Sequence, residues 1–259
     1  MISCFGPGIR TDYYMRLYES INQSGIPFEL IIVGHEPPQY STPDNFKYIY
    51  TTVKPSQCVE IGFRESKYDL VMPVADDEVF HGESVKNIYL KYVKMNNPRA
   101  LVSYRYVLQG KDISSGLLPA NRYYVWEPTS PLAPLCPIMS KKTWQAVGGV
   151  DRRFIALYWD LDLAMRVFEY AGLPAVETHA WLADDAFCEE VGQSADGGEH
   201  SLYEKYGPSH DRIILDSLWT TPGHRGLFSN IHMKRLAPVE PFEDKDLLTV
   251  TQGPRGRWN

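Results

Sequence analysis

Basic residues are in the minority: 26 Lys and Arg stand against 32 Asp and Glu, for a formal charge of −6. That balance argues against non-specific nucleic-acid binding, which needs basic patches to displace counterions, but it leaves room for a local basic pocket for phosphates. Cysteine is scarce as well. Cys4, Cys58, Cys136 and Cys188 lie far apart with no CxxC pair, which argues against cysteine-ligated zinc and reads as a reduced, cytoplasmic chain with small buried thiols. The seven histidines form no HxH or HExxH pattern, so a histidine-rich hydrolytic metal centre lacks its ligands. No apolar run approaches the ~20 residues that span a bilayer, and the apolar part of MISCFGPGIR is too short for a signal peptide. The expectation is a chain without a transmembrane segment. It also has no internal repeat and no low-complexity tract.

The 259 residues, 44% hydrophobic and 22% charged, suffice for one large α/β domain with a substantial core. The first half alternates strand and helix. MISCF is a short apolar run closed by Gly6-Pro7-Gly8. A helix then carries Tyr14, Leu17, Tyr18 and Ile21 on one face, with Thr11 or Asp12 as its cap. FELIIVG (28–34) is a continuous buried strand and KYIYTTV (47–53) a weaker one. A helix near Ser56–Ser66 leads to the strand YDLVMPVA (68–75). A second amphipathic helix carries Val85, Ile88, Tyr89, Tyr92 and Val93 and stops at Asn97-Pro98. ALVSYRYVL (100–108) alternates like a half-buried strand. This order predicts an α/β fold, a Rossmann-like, mainly parallel, doubly wound sheet flanked by helices. Residues 109–135 are looser. Ser140 caps a short helix ended by Gly148-Gly149, and a longer helix runs from Asp160 to Gly172 with Pro174 beyond it. From about Thr220 the chain reads as an extended tail, packed on the domain or reaching for a partner.

The stretch VMPVADDEVF ends a buried strand on Asp76, Asp77 and Glu78. In an open parallel sheet, ligands bind just beyond the carboxyl ends of the strands. Three adjacent carboxylates repel, which raises their pKa values and costs stability. A hard divalent cation relieves that repulsion, and Mg²⁺ typically takes one or two carboxylates and fills its shell with phosphate oxygens and water. The cluster therefore suits a metal–diphosphate site. The competing reading is a solvated turn, or caps for the helix over 82–96. A second acidic element lies in LYWDLDLAMR. Asp160 and Asp162 open a helix whose N-terminus favours negative charge and keeps a carboxylate ionised. One of them can serve as a cap, and Asp162 is placed to pair with Arg166 at i, i+4. Asp160, directly after Tyr158-Trp159, is a candidate general base in an aromatic-walled pocket.

Taken together, YDLVMPVADDE, PIMSKKTWQAVGGVDRRF and WDLDLAMRVFEYAG resemble the GT-A glycosyltransferases, especially the large family 2 class, over most of residues 1–172. GGVDRRF with WDLDLAMR is the specific portion. The resemblance implies a metal-dependent inverting enzyme that moves a sugar from a nucleotide-diphosphate donor to an acceptor hydroxyl. Ala75-Asp76-Asp77 occupies the positions of the DxD motif: Asp77 binds Mn²⁺ or Mg²⁺ bridging the donor diphosphate, and Asp76 contacts the metal or the ribose. Ala75 replaces a frequent first Asp, and Glu78 lies one position past the motif. Asp160 matches the family's catalytic base, with Trp159 where Glu is common. Phe5, Gly6, Pro7 and Arg10 after the first strand, and Gly34, His35 and Glu36 after the second, become the nucleotide-binding positions. A third metal ligand is drawn from His179, Asp184, Asp185 and His200, with His179 foremost. Trp126, Trp159, Trp181 and Trp219 are candidates to stack on a sugar face.

The implied organisation is a domain over 1–219, with a nucleotide-sugar half (1–108) and an acceptor half (109–219), followed by the tail 220–259. The acceptor (glycan, lipid-linked or protein) is not encoded in any motif. Two other functions compete. A sugar-phosphate nucleotidyltransferase carries a GxGxR-type loop after strand one, whereas GPGIRTD here lacks that pattern. A non-catalytic nucleotide-sugar or glycan-binding module would be expected to lose the base or the acid pair, and both are present.

Overall fold

The computed structural model describes residues 1–108, 110–112, 136–171, 182–191, 206–219, 235–244 and 246. The first half follows the hydrophobic pattern closely. Strand β1 (Ile2–Pro7) leads through helix α1 (Thr11–Asn22) to β2 (Phe28–Gly34) and then β3 (Phe46–Tyr50). Helix α2 (Pro55–Glu65), with a proline in its first turn, connects β3 to β4 (Leu70–Pro73). All three pairings in the order β3-β2-β1-β4 are parallel. Every residue of β2 is buried, because both faces of the sheet are covered. Leu30 and Ile32 point to one core with Tyr14, Leu17 and Ile21 of α1, while Ile31 and Val33 point to another with Val59 and Phe63 of α2. This is the expected doubly wound α/β arrangement.

Beyond β4 the sheet changes character. Its path continues through β8 (Ile138–Ser140), β6 (Leu101–Leu108), β9 (Leu182–Glu190) and β5 (Glu78–Phe80), with β7 (Lys111–Asp112) paired to β6. Only β6 and β9 are parallel there; β4–β8, β8–β6, β9–β5 and β6–β7 are antiparallel. The sheet is thus parallel in its first half and mixed in its second. Strands β5, β8 and β9 are too short or too acidic to announce themselves by alternation. Strand β6 alternates only in its second half, from Tyr104 to Val107, since Leu101 to Tyr104 are all inaccessible with α3 (Ser84–Met95) packed across it.

Three local expectations resolve differently from one another. Ser140 caps α4 (Lys141–Ala146), its Oγ accepting from the Thr143 N–H at 3.0 Å. Helix α1 has Arg10 as its first flanking residue and no side-chain cap, so neither Thr11 nor Asp12 plays that part. Of the two options for the tail, the described portion is packed on the domain. Phe242 is buried in the α2-side core, its carbonyl accepts from Arg64 at 2.6 Å, and Pro241 bridges Asp151. Among the described residues no helix is long and apolar enough to cross a membrane.

Strand order reverses between β1 and β4: the chain moves outward through β2 and β3, then returns to the other side of β1. In open α/β sheets such a switch point opens a crevice at the carboxyl ends of the two strands. The β1–α1 loop and the acids after β4 meet there.

Candidate active site

The crevice is built by close backbone approach. Val74 donates to the Phe5 carbonyl at 2.9 Å, and Gly8 to the Val33 carbonyl at 3.0 Å, extending the ladders past the strand ends. A Cβ on Gly6 would stand 1.7 Å from the Val74 carbonyl oxygen, and one on Gly34 would stand 1.8 Å from that of Gly8. These two glycines therefore let strand ends touch, and each lies inside its strand, as does Pro7. Phe5 requires a correction: it is fully buried, edge-on to Phe63 and Trp144 at 6.2 and 5.6 Å, so its ring belongs to the core and not to a nucleotide site. Glu36 is exposed on the loop after β2, where its carbonyl accepts from Tyr14 Oη at 2.9 Å.

The Asp76 carboxylate ties the first loop to the end of β4. Its Oδ2 accepts the backbone N–H groups of Ile9 and Arg10 at 2.8 and 2.9 Å. The Arg10 guanidinium lies 3.5 Å from Asp76 Oδ1 and pairs directly with Asp77. Burial and the adjacent Asp77 charge push the Asp76 carboxyl above its ordinary value despite those donors. Sequence spacing alone did not reveal that Arg10 is the counter-cation of both acids. Nor did it show that Glu78 is inaccessible. Glu78 opens β5, opposite Glu190 of β9, and accepts from the Ala75 N–H at 3.1 Å. Burial, followed by the charges of Asp77, Glu190 and Asp160, holds it well above the usual carboxylate range.

Asp160 reaches this cluster from the other half. It sits in the first turn of α5 (Trp159–Ala171) and is half-buried. Its charge acts on Glu78 and, together with those of Glu78 and Asp77, on the partly buried Cys136 thiol, so it lies within electrostatic reach of the acids after β4. The expectation that the helix end keeps Asp160 fully ionised is corrected. Burial pushes it up to about 6, and the N–H groups of the first turn offset only part of that. A carboxylate near neutrality is well matched to accepting a proton.

The remaining acid of the pair has a different task. Asp162 is fully buried and bonded by Arg166 Nε at 2.9 Å, Trp219 Nε1 at 2.9 Å and Arg235 Nε at 3.1 Å. Arg166 also donates to the carbonyl of Gly149 at 2.8 Å, and Arg235 to Asp151 Oδ2 at 2.6 Å. The i, i+4 pairing with Arg166 is as expected, and the network locks α5 to the GGVD turn and the tail. Asp162→Ala leaves buried Arg166 without its carboxylate and removes one of the two carboxylates that Arg235 bonds, so we expect a loss of about 3–5 kcal/mol in urea unfolding. Trp159 and Trp219 are likewise core residues, 8% and 1% exposed, and neither offers a face to a sugar. Asp184 and Asp185 are exposed on β9, beside the register shift opposite Tyr104 and Arg105. His179, His200, Trp126 and Trp181 lie outside the described residues.

Among the described residues no group of three His, Cys, Asp or Glu side chains is gathered to hold a metal ion. Asp76 and Asp77 supply two neighbouring carboxylates, the number Mg²⁺ commonly takes from protein. The Arg10 guanidinium is set against both.

No protein-family model and no curated protein matches the chain. Among solved structures it is similar to Staphylococcus aureus TarS residues 1–349 (13% identity, TM-score 0.49, covering 74% of this chain and 58% of that one). A second S. aureus TarS structure matches at 14% identity and TM-score 0.46, covering 78% of this chain and 38% of that one. TarS 1–349 in complex with UDP matches at 12% identity and TM-score 0.45, covering 74% and 58%. The chain thus spans no more than 58% of the length of these structures.

One element was missed altogether. Asp211, inaccessible at the end of the π-helical turn Gly207–Asp211, accepts three consecutive backbone N–H groups from Ile155, Ala156 and Leu157. No periodicity marks it. The only sequence clue is an acid opening the apolar helix α6 (Arg212–Leu218), where an ordinary cap was equally plausible.

Proposed function

We propose that the chain is a GT-A glycosyltransferase of the family 2 type, transferring a sugar from a nucleotide-diphosphate donor to an acceptor hydroxyl. The observation that carries the reading is the setting of Asp76 and Asp77 against Arg10 at the β1/β4 switch point, with the charge of Asp160, from the second half of the chain, felt at the adjoining Glu78. Two acids with a paired arginine at a switch point suit a diphosphate, and a third carboxylate poised near neutrality suits proton abstraction.

In this reading the donor's nucleotide rests on the β1–α1 loop and the loop after β2, beside Arg10, Gly34 and Glu36. Asp77 and Asp76 would hold Mn²⁺ or Mg²⁺, and the metal would supply neutralisation of the negative charge on a departing diphosphate. Asp160 takes the proton of the acceptor hydroxyl as that oxygen forms its bond to the anomeric carbon. The bond from that carbon to the diphosphate oxygen breaks, and the electron pair leaves with the nucleoside diphosphate. A single base opposite the leaving group inverts the anomeric configuration. His179 is the proposed third metal ligand.

A thermal-shift screen of UDP-, GDP-, TDP- and CMP-sugars, each with and without Mn²⁺, tests the reading. Ligand present at about a hundred times its Kd stabilises the folded state by about 2.7 kcal/mol, a rise of about 5–10 °C for a chain of this size. Cation-dependent stabilisation by one nucleotide is expected. A flat response across the whole set removes the donor site and with it the proposed function.

A further inference from the structure

The backbone just before Asp160 is held with unusual completeness. Ile155 donates to Asp211 Oδ1 at 2.9 Å, while Ala156 and Leu157 both donate to Oδ2 at 2.8 Å. From the other side, buried Ser56 at the start of α2 donates its hydroxyl to the Phe154 carbonyl at 2.6 Å and its N–H to the Ile155 carbonyl at 3.0 Å. The next residue, Tyr158, has φ +61°, a left-handed conformation that a bulky side chain adopts only when its surroundings impose it. Tyr158 then accepts the Asp162 N–H at 2.9 Å, and α5 begins with Trp159 and Asp160. A fully desolvated carboxylate costs free energy unless its oxygens are bonded. Asp211 recovers that cost by ordering three peptide groups of a loop that is otherwise irregular.

We infer that Asp211 is a positioning residue for Asp160: by clamping residues 155–157 against α2 it imposes the strained turn at Tyr158 that aims the first turn of α5 into the site. This rests on the reading of Asp160 as the base. His210, whose Nδ1 lies 2.9 Å from Asp211 Oδ1, is half-exposed and donates nothing to the loop. Asp211→Asn keeps an acceptor for some of the three N–H groups and turns an NH₂ toward the rest. Asp211→Ala removes all three acceptors.

The experiment combines turnover of the nucleotide sugar selected by thermal shift with hydrogen exchange by NMR on the full chain. In Asp211→Asn we expect the amides of 155–157 to exchange at least about tenfold faster while β1 and β2 keep their protection. The kcat should fall about 100-fold, as a misplacement of order 1 Å produces, with the donor KM within about twofold. Ser56→Ala, a milder loosening of the same loop, should move both readouts in the same direction, and His210→Ala should move neither. Asp211→Ala is expected to exceed Asp211→Asn in both. Unchanged exchange at 155–157 in Asp211→Asn, or a loss of kcat matched by uniform loss of protection across the sheet, overturns the inference; if Asp211→Asn does not fold, Ser56→Ala decides by the same two criteria. If the wild-type chain turns over no nucleotide sugar, the proposed function fails separately. The carbon-13 titration of the Asp160 carboxyl then decides: from about 6, it should move toward the ordinary aspartate value in Asp211→Asn if the clamp sets its surroundings, and stay in place if it does not.

Discussion

Asp160→Asn should bind the donor nucleotide as the wild type does and transfer almost no sugar. The amide is nearly isosteric but cannot accept the acceptor's proton, and general-base catalysis is commonly worth about 10²–10⁴-fold, so we expect kcat to fall by about 10³-fold at unchanged donor affinity. Near-normal turnover in this variant would remove Asp160 from the chemistry. The wild-type pH profile provides an independent check. Because burial pushes Asp160 up to about 6, the base is proton-free above that pH, and kcat should decline as pH falls through it. Stability moves the opposite way. A carboxylate whose folded-state pKa is raised favours folding in its protonated form, so its contribution rises as pH falls from about 6 toward the ordinary aspartate range. Asp160→Asn, which carries no charge to desolvate, should therefore melt no lower than wild type at pH 7.5. Activity lost without stability lost separates a catalytic role from a structural one.

Asp77→Ala should abolish Mn²⁺-dependent nucleotide binding. The substitution removes one of the two carboxylates at the switch point and leaves the Arg10 guanidinium with Asp76 alone, 3.5 Å away. The backbone role of residue 77, whose carbonyl accepts from Val191 at 2.8 Å, survives the change, so the fold is expected to persist. The cation-dependent melting rise of about 5–10 °C should collapse to the metal-free value. Retention of the full rise would place the cation elsewhere. Asp162→Ala serves as a contrast, since it is expected to cost stability through Arg166 and Arg235 with no specific effect on the cation response. Two acids five residues or fewer from a predicted site thus have separable signatures, one in ligand binding and one in unfolding.

The difference between Asp160 and Asp162 shows where reading residues in order stops being informative. Both open the same helix and either could serve as its cap, while the sequence assigned Asp160 as candidate base and Asp162 to a pairing with Arg166. Burial separates them: Asp162 meets Arg166, Trp219 and Arg235 in the interior, while Asp160 stays half-exposed and its charge is felt at Glu78. The same holds for Phe5, Trp159 and Trp219. An aromatic residue near a motif is as ready to fill a core as to meet a ligand, and here all three fill the core.

What the chain determined by itself was local and periodic. The all-buried run of β2, the amphipathic faces of α1, α2 and α3, the Ser140 cap and the strand ending on Asp76-Asp77 follow from side-chain spacing and from the preference of acids for a strand's carboxyl edge. Those features were enough for a doubly wound α/β half. Tertiary structure alone decided the rest: the mixed pairing of β8, β6, β9 and β5, the Arg10 counter-cation, the raised Glu78 and Asp160 carboxyls, and the Asp211 clamp 50-odd residues downstream of the loop it holds. The physical reason is common to all of these. Each depends on the distance and desolvation between groups far apart in the chain, and neither quantity is present until the sheet has closed its two halves around the same point.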